Sequence, residues 1–367
     1  MSSKIVPLVM PKWGLAMKEG KIAEWLVDEG AEIHVGDEII EVETDKISGV
    51  VEAPDPGLLR RRVAEVDSVY PVKALLGVLA DLSVDETAID TFIEAYEVPV
   101  ADDDEEEEGE AQYKFIEVNG VRVRYVDKGE GDSVVLLIHG FGGDLDNWLF
   151  NMDSLAEKHR ILVLDLPGHG QSGKTIPDPT LQGMSSFVES FLKTVGIEKV
   201  HIVGHSMGGA IAMHTALDRP DQVQSITLIA SAGLAAEVNS TYLKGYVESQ
   251  SRRELKPVLQ HLFADESLVT RQLVEDVLKY KRLDGVDKAL KQLQSQLFGS
   301  LPADLSERIS SSGIPVLLIQ GAKDRVIPAD VGSTPQGSAL EVFETAGHMV
   351  QMEKANEVNR KLLDFLP

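Results

Sequence analysis

Four residues of this chain stand in patterns that point to covalent chemistry. Ser206 lies in Gly204-His205-Ser206-Met207-Gly208, where glycines flank a nucleophile at the spacing that a sharp strand-to-helix turn requires. Downstream, Asp324 follows the apolar run 314–320 and a glycine, and His348 follows Ala346-Gly347 after the short strand-like run 341–343. Serine, then acid, then histidine is the chain order expected of such a turn and its partners. In that arrangement the histidine takes the serine proton and the acid orients the histidine. After the apolar run 134–138 comes His139-Gly140-Phe141-Gly142-Gly143, whose glycines let backbone approach an oxyanion. The N–H groups of Phe141 and Met207 are the expected donors. The fourth residue is Lys46, in Glu43-Thr44-Asp45-Lys46. Apolar alternation runs into this stretch, breaks and resumes, which places Lys46 at the tip of a β-hairpin, where an amine can carry a group into solvent.

These residues need two different supports. Up to about Leu82 the chain runs in short alternating stretches of Val, Ile, Gly and Glu, the pattern of a small all-β unit. The stretch repeats itself at an offset of about 37 residues: Gly20, Ile22, Leu26, Ile33, Val35, Ile39 and Val42 meet Gly57, Leu59, Val63, Tyr70, Val72, Leu76 and Leu79. Two such halves can pack face to face as a flattened barrel or sandwich. Ile89, Phe92, Ile93 and Tyr96 recur at helical spacing and predict a short amphipathic helix over 85–97. The acidic run 101–110 follows, and like charges at that density read as an extended linker, so residues 83–112 divide the chain. From Tyr113 onward strand-like and helix-like segments alternate, as in an α/β sheet covered on both faces. Strand 200–203 feeds the elbow and a helix begins near Gly209. Sites in such sheets form beyond the carboxyl ends of the strands, which puts Ser206, Asp324 and His348 at one rim. Asp330 and Glu344 are competing acids, but neither directly follows a strand and a glycine turn. His139 and His169 read as scaffold, and His205 is expected to point away from the nucleophile. Lys12, Lys18 and Lys73 read as ordinary solvated lysines.

Composition excludes several classes. The 367 residues contain no cysteine, so disulfides, thiolate metal sites and a cysteine nucleophile are absent, which suits a reducing cytoplasm. No metal site is expected. A net charge of −25 argues against nucleic acid or an anionic membrane as partner. No run approaches the roughly 18 apolar residues of a membrane helix, and the first residues lack the apolar core of a signal peptide.

The first region resembles the biotinyl/lipoyl domain family, through Met10-Pro11-Lys12-Trp13-Gly14, Glu19-Gly20, Glu43-Thr44-Asp45-Lys46 and Glu52-Ala53-Pro54. Biotin carriers usually set methionine on both sides of the lysine; Asp45 and Ile47 stand here, so the resemblance implies lipoate on Lys46. Residues 113–367 resemble the α/β-hydrolase superfamily, with Asp165-Leu166-Pro167-Gly168-His169-Gly170 as its turn after the next strand. The family commonly inserts a helical cap, matched here by residues 231–306. Arg252, Arg253, Lys256, Lys281 and Arg282 in that segment suit either a solvated helix face or contacts to a phosphorylated acceptor.

The fusion looks like the acyltransferase (E2) components of acetoin-cleaving dehydrogenase systems. That resemblance implies acetyl transfer from lipoyl-Lys46 to coenzyme A through Ser206, His348 and Asp324. It also implies a thiamine-diphosphate-dependent E1, a dihydrolipoamide dehydrogenase (E3) and a homo-oligomeric assembly. Most other lipoyl acyltransferases carry His-x-x-x-Asp-Gly; the nearest string here, His214 to Asp218, ends in Arg219 and reads as coincidence. Two other functions stay open: a hydrolase of an ester, thioester or carbon–carbon bond with an accessory lipoyl unit, and a carrier whose second unit is catalytically idle.

Overall fold

A computed structural model describes residues 5–11, 17–44, 48–53, 55–96, 98, 113–234, 237–328 and 334–367. The chain forms two compact units, Met1–Glu110 and Ala111–Pro367.

Among the described residues the first unit has eight strands: β1 (Ile5–Val9), β2 (Glu19–Trp25), β3 (Glu32–Ile33), β4 (Glu38–Glu43), β5 (Ser48–Glu52), β6 (Gly57–Arg62), β7 (Val69–Pro71) and β8 (Leu75–Ala80). They form two four-stranded sheets, β1-β8-β6-β3 and β5-β4-β2-β7. The internal repeat explains this order. Shifting β4, β2 and β3 by about 37 residues produces β8, β6 and β7, so each sheet is a copy of the other. Repeat-matched residues fill the core: Ile22, Ile39 and Val42 from one half, Leu59, Leu76 and Leu79 from the other, all fully buried. β4 and β5 stay paired up to Glu43 opposite Ser48. Lys46 falls in sequence between them, and residues 45–47 lie outside the described ones, as do Lys12, Trp13 and Gly14.

Helix α1 (Glu86–Ala95) starts at Asp85, whose side chain accepts from the Thr87 N–H, and so falls inside the span its periodicity predicts. Its sequence neighbourhood groups it with the linker, but the structure groups it with the sheets. Ile89 is fully buried among Leu75, Val78, Ala80 and Val84. Arg60 donates to the Asp81 carbonyl at 2.6 Å, and Arg61 pairs with Asp90 at 2.8 Å. Tyr96 Oη donates to the Lys73 carbonyl at 2.8 Å. The helix therefore belongs to the first unit, and the acidic run 101–110 lies outside the described residues.

The second unit is an eight-stranded sheet in the order β16-β15-β14-β13-β11-β12-β10-β9. Its strands are β9 (Lys114–Val118), β10 (Val121–Lys128), β11 (Val134–Ile138), β12 (Arg160–Leu164), β13 (Val200–His205), β14 (Val223–Ile229), β15 (Val316–Gly321) and β16 (Ala339–Phe343). β9 and β10 are antiparallel additions at one edge; the other six strands are parallel. β11, β13 and β15 are buried along their whole lengths, as a sheet covered on both faces demands, and β11 is an unbroken apolar run. Helices α2 (Leu149–Ala156), α3 (Leu181–Thr194) and α4 (Met207–Asp218) cover it. After β11 the chain lays β12 on one side, and β13 is added on the other, so the strand order reverses at β11/β13. A crevice opens at such a switch point. Between β14 and β15 the helices α5 (Ser240–Glu248), α6 (Arg252–Leu259) and α7 (Arg271–Lys281) form the inserted cap.

Candidate active site

Ser206 occupies a strained elbow. Its φ of 53° and ψ of −117° place a non-glycine residue where strain costs about 1–3 kcal/mol. Surrounding backbone holds it there: its N–H donates to Ile229 at 2.9 Å, and its carbonyl accepts from Gly209 at 3.0 Å and Ala232 at 3.1 Å. Two glycines make the turn possible. A Cβ on Gly204 would lie 2.3 Å from the Gly208 carbonyl oxygen, and one on Gly208 would lie 2.3 Å from that of Ile138.

The loop after β11 meets this elbow. A Cβ on Gly140 would lie 3.0 Å from Ser206 Cβ, so Gly140-Phe141 runs beside the serine. Met207 is the first residue of α4, so its N–H is one of the unpaired donors at a helix N-terminus. Neither it nor the Phe141 N–H donates a backbone hydrogen bond among the described residues. Phe141 is walled by cap residues. Tyr246 and Phe298 meet its ring edge-on at centroid distances of 5.6 and 5.5 Å, and Tyr246 Oη donates to the Gly142 carbonyl at 2.9 Å. Burial pushes the Tyr246 phenol well above its ordinary range, so it stays a neutral donor.

Asp324 and His348 come together as the sequence predicts. His348 Nδ1 lies 2.8 Å from Asp324 Oδ2, and both side chains are almost completely buried. The other carboxylate oxygen, Oδ1, accepts from the N–H groups of Val326 and Ile327 at 2.8 Å each. These bonds fix the carboxylate and leave Nε2 as the free nitrogen of the imidazole. Asp330 lies outside the described residues; Glu344 is exposed.

His139 and His169 are buried scaffold. The Leu166 N–H donates to His139 Nε2 at 3.1 Å, and the two rings pack edge to face at 4.9 Å. Desolvation lowers both pKa values, so both are neutral. His205 reaches the loop that carries His348. Its ring lies 4.8 Å from that of His348, and Nε2 lies 3.0 Å from the His348 carbonyl. Burial, with the neighbouring His348 second, drives its pKa well below 6.5. A neutral His205 with Nε2 protonated ties the elbow strand to the histidine loop. Sequence reasoning also missed the grip of the cap on that loop. The N–H groups of His348 and Met349 both donate to the Leu262 carbonyl, at 2.9 and 3.0 Å, and Arg325 donates to the Phe263 carbonyl at 2.9 Å. His214 and Asp218 form a 3.1 Å contact one turn apart on α4, a helix-face pair with no site around it.

The fold and this rim define a class: an α/β hydrolase carrying a small carrier unit. Residues 133–355 match the α/β-hydrolase fold family, and residues 6–78 match the biotin-requiring enzyme family of biotin and lipoyl units. The chain belongs to the dihydrolipoyllysine-residue acetyltransferase components of acetoin cleaving systems. It is 53% identical to the one from Cupriavidus necator, over all of this chain and 98% of that protein. It is 45% identical to the one from Pseudomonas putida, over 99% of each. The second unit alone resembles a 2-hydroxy-6-oxononadienedioate/2-hydroxy-6-oxononatrienedioate hydrolase of Paraburkholderia phymatum, 31% identical over 67% of this chain and 91% of that protein. Among solved structures it resembles a meta-cleavage product hydrolase, with a TM-score of 0.64 and 26% identity over 69% of this chain and 97% of that one.

Proposed function

We propose that this chain moves an acetyl group from a lipoyl thioester on Lys46 to the thiol of coenzyme A, with Ser206 as the covalent relay. The observation that carries the reading is the Asp324–His348 pair, fixed at the rim where the strained Ser206 stands, on a chain whose other unit carries the Glu-Thr-Asp-Lys hairpin. The attachment fits: β4 and β5 are paired up to the last residues before the connection that contains Lys46, a stiff support for a presented group. Lipoate amide-linked there supplies the dithiol on which the acetyl group travels as a thioester.

His348 takes the proton of Ser206 Oγ as the Oγ–C bond forms at the thioester carbonyl. The Phe141 and Met207 amides stabilise the tetrahedral oxyanion, and one such donor is worth about 3–4 kcal/mol. The C–S bond then breaks, and the departing thiolate takes the proton from His348. In the second half His348 receives the proton of the coenzyme A thiol, sulfur attacks the acetyl-serine, and the Oγ–C bond breaks as His348 returns the proton to Ser206. Sixteen residues, nine of them acidic, separate Tyr96 from Tyr113, and a chain of that length reaches at most about 55 Å. Such a tether raises the local carrier concentration to the millimolar range.

In this role the chain works in the cytoplasm as a homo-oligomer beside a thiamine-dependent E1, which loads the acetyl group, and a dihydrolipoamide dehydrogenase, which reoxidises the carrier. Among the described residues no helix is long and apolar enough to cross a membrane. The test is to supply acetyl-dihydrolipoamide with coenzyme A and measure acetyl-CoA against free acetate. Mostly acetate at millimolar coenzyme A overturns the reading in favour of a hydrolase, the activity named for the relatives of the second unit. The carrier is tested by intact mass: the lipoyl increment is present in wild type and lost in Lys46→Ala.

A further inference from the structure

The cap carries an open cavity. A cleft of about 430 Å³ opens between the start of α6 and the length of α7, lined by Ser251, Arg252, Glu275, Leu278, Lys279 and Arg282. That volume lies in the range of small-molecule sites, about 300–1,000 Å³. Three cations face one carboxylate there, in a chain whose net charge is −25. Two of the cations hold half-exposed partners: Arg252 lies 3.0 Å from Glu275, which Arg271 also holds at 2.9 Å, and Lys279 lies 2.8 Å from Asp276. Exposed pairs of that kind are worth about 0–1 kcal/mol, so a doubly charged anion displaces them readily. Arg282 is exposed and lines the cleft, where its guanidinium can make a bidentate phosphate contact. Leu278, which is buried, gives the cleft an apolar floor on which a flat base can rest.

The cleft is wired to the catalytic rim. Lys281, next to Arg282, does not face solvent as the sequence suggests. It donates to the carbonyls of Tyr246 and Val247 and, at 2.7 Å, of Ser249. Tyr246 is the residue whose hydroxyl holds Gly142 beside Ser206, while Ser251 lines the cleft. The five steps from Tyr246 to Ser251 span at most about 18 Å, at about 3.6 Å per extended residue. A thiol on a long flexible arm can therefore enter the rim while its charged end stays in the cleft.

We propose that this cleft binds the phosphate-bearing adenosine end of the thiol acceptor, with Arg282 and Arg252 on phosphate and Leu278 under the base. The proposal rests on the reading of coenzyme A as acceptor, and two measurements on the full-length lipoylated protein separate them. The first is calorimetric binding of adenosine 3′,5′-bisphosphate, which involves no turnover. It is expected to bind, to weaken about tenfold in Arg282→Glu, the size of one charge-assisted hydrogen bond, and to recover partly in Arg282→Lys. The second is the ratio of kcat/KM for coenzyme A to that for pantetheine, which should fall by a similar factor in Arg282→Glu. Failure to bind the bisphosphate, binding unaffected by Arg282→Glu, or inorganic phosphate binding equally well overturns the cleft. Bisphosphate binding with this Arg282 dependence, but no acetyl-CoA formed, sustains the cleft and overturns the transfer reaction.

Discussion

The two units solve opposite problems. In the proposed function the carrier unit places its chemistry on one residue, Lys46, and the rest of its sequence holds two copies of a four-stranded sheet together. The catalytic unit draws its site from the loops after β11, β13, β15 and β16, with a cap segment gripping two of them. One hairpin suffices in the first because a presented amine needs only a rigid base and open solvent. The second must fix several groups against one another in a buried place, so its site depends on contacts between residues far apart in the chain. Damage to the first should thus appear as lost stability or lost modification. Damage to the second should appear as lost turnover in a folded protein.

The sharpest break in that comparison is Ser206→Ala. It is expected to lower transfer from free acetyl-dihydrolipoamide by several orders of magnitude while lipoylation of Lys46 continues, read by initial rates and intact mass. Asp324→Asn should cost about 10⁴ in kcat, because the histidine loses the acceptor that fixes its tautomer. Near-normal rates in Ser206→Ala would leave direct thiol attack as the route and remove the covalent relay.

In the carrier unit the corresponding lesion is structural. Ile89→Ala empties a fully buried position under α1 and should cost the unit about 2–5 kcal/mol, measured by urea unfolding. Turnover of free substrate should be untouched. An unchanged unfolding midpoint would mean that the helix does not belong to the unit.

A third effect separates the units by pH. His139, His169 and His205 all lie in the second unit, buried, with pKa values lowered by desolvation. Each binds fewer protons when folded than when unfolded, so its contribution is intact above the ordinary value of 6.5 and is lost as pH falls below it. Each adds about 1.4 kcal/mol per pH unit to that loss. Asp144, half-buried, works the other way, because desolvation pushes its carboxyl up to about 7. Unfolding at pH 7.5 and 5.5 should show the second unit losing stability first, and a flat profile there would contradict neutral buried histidines. The smallest expected effect is Arg61→Ala, whose partners Glu86 and Asp90 are more than half exposed. It should cost the carrier unit less than about 1 kcal/mol, less still in high salt.

Much of this molecule is legible in its sequence. Alternation and the 37-residue repeat dictate the first unit, because strand period and core volume are local properties that each half states twice. The elbow is local too: Gly204 and Gly208 are required by backbone clashes within a few residues and one neighbouring strand end. The order Ser206, Asp324, His348 follows from where parallel strands end. What the sequence could not decide depends on through-space packing. It could not say that α1 closes the first unit through Arg60, Arg61 and Ile89, since an amphipathic helix has an apolar face wherever it docks. It could not place His205 against His348, residues brought together only by the order of strands in the sheet. It left Lys281 as one cation among five, whereas the carbonyls at the end of α5 take it out of solvent and leave Arg282 to the cleft. Helical periodicity specifies which face is buried but not its partner, and the partner is what the tertiary structure supplies.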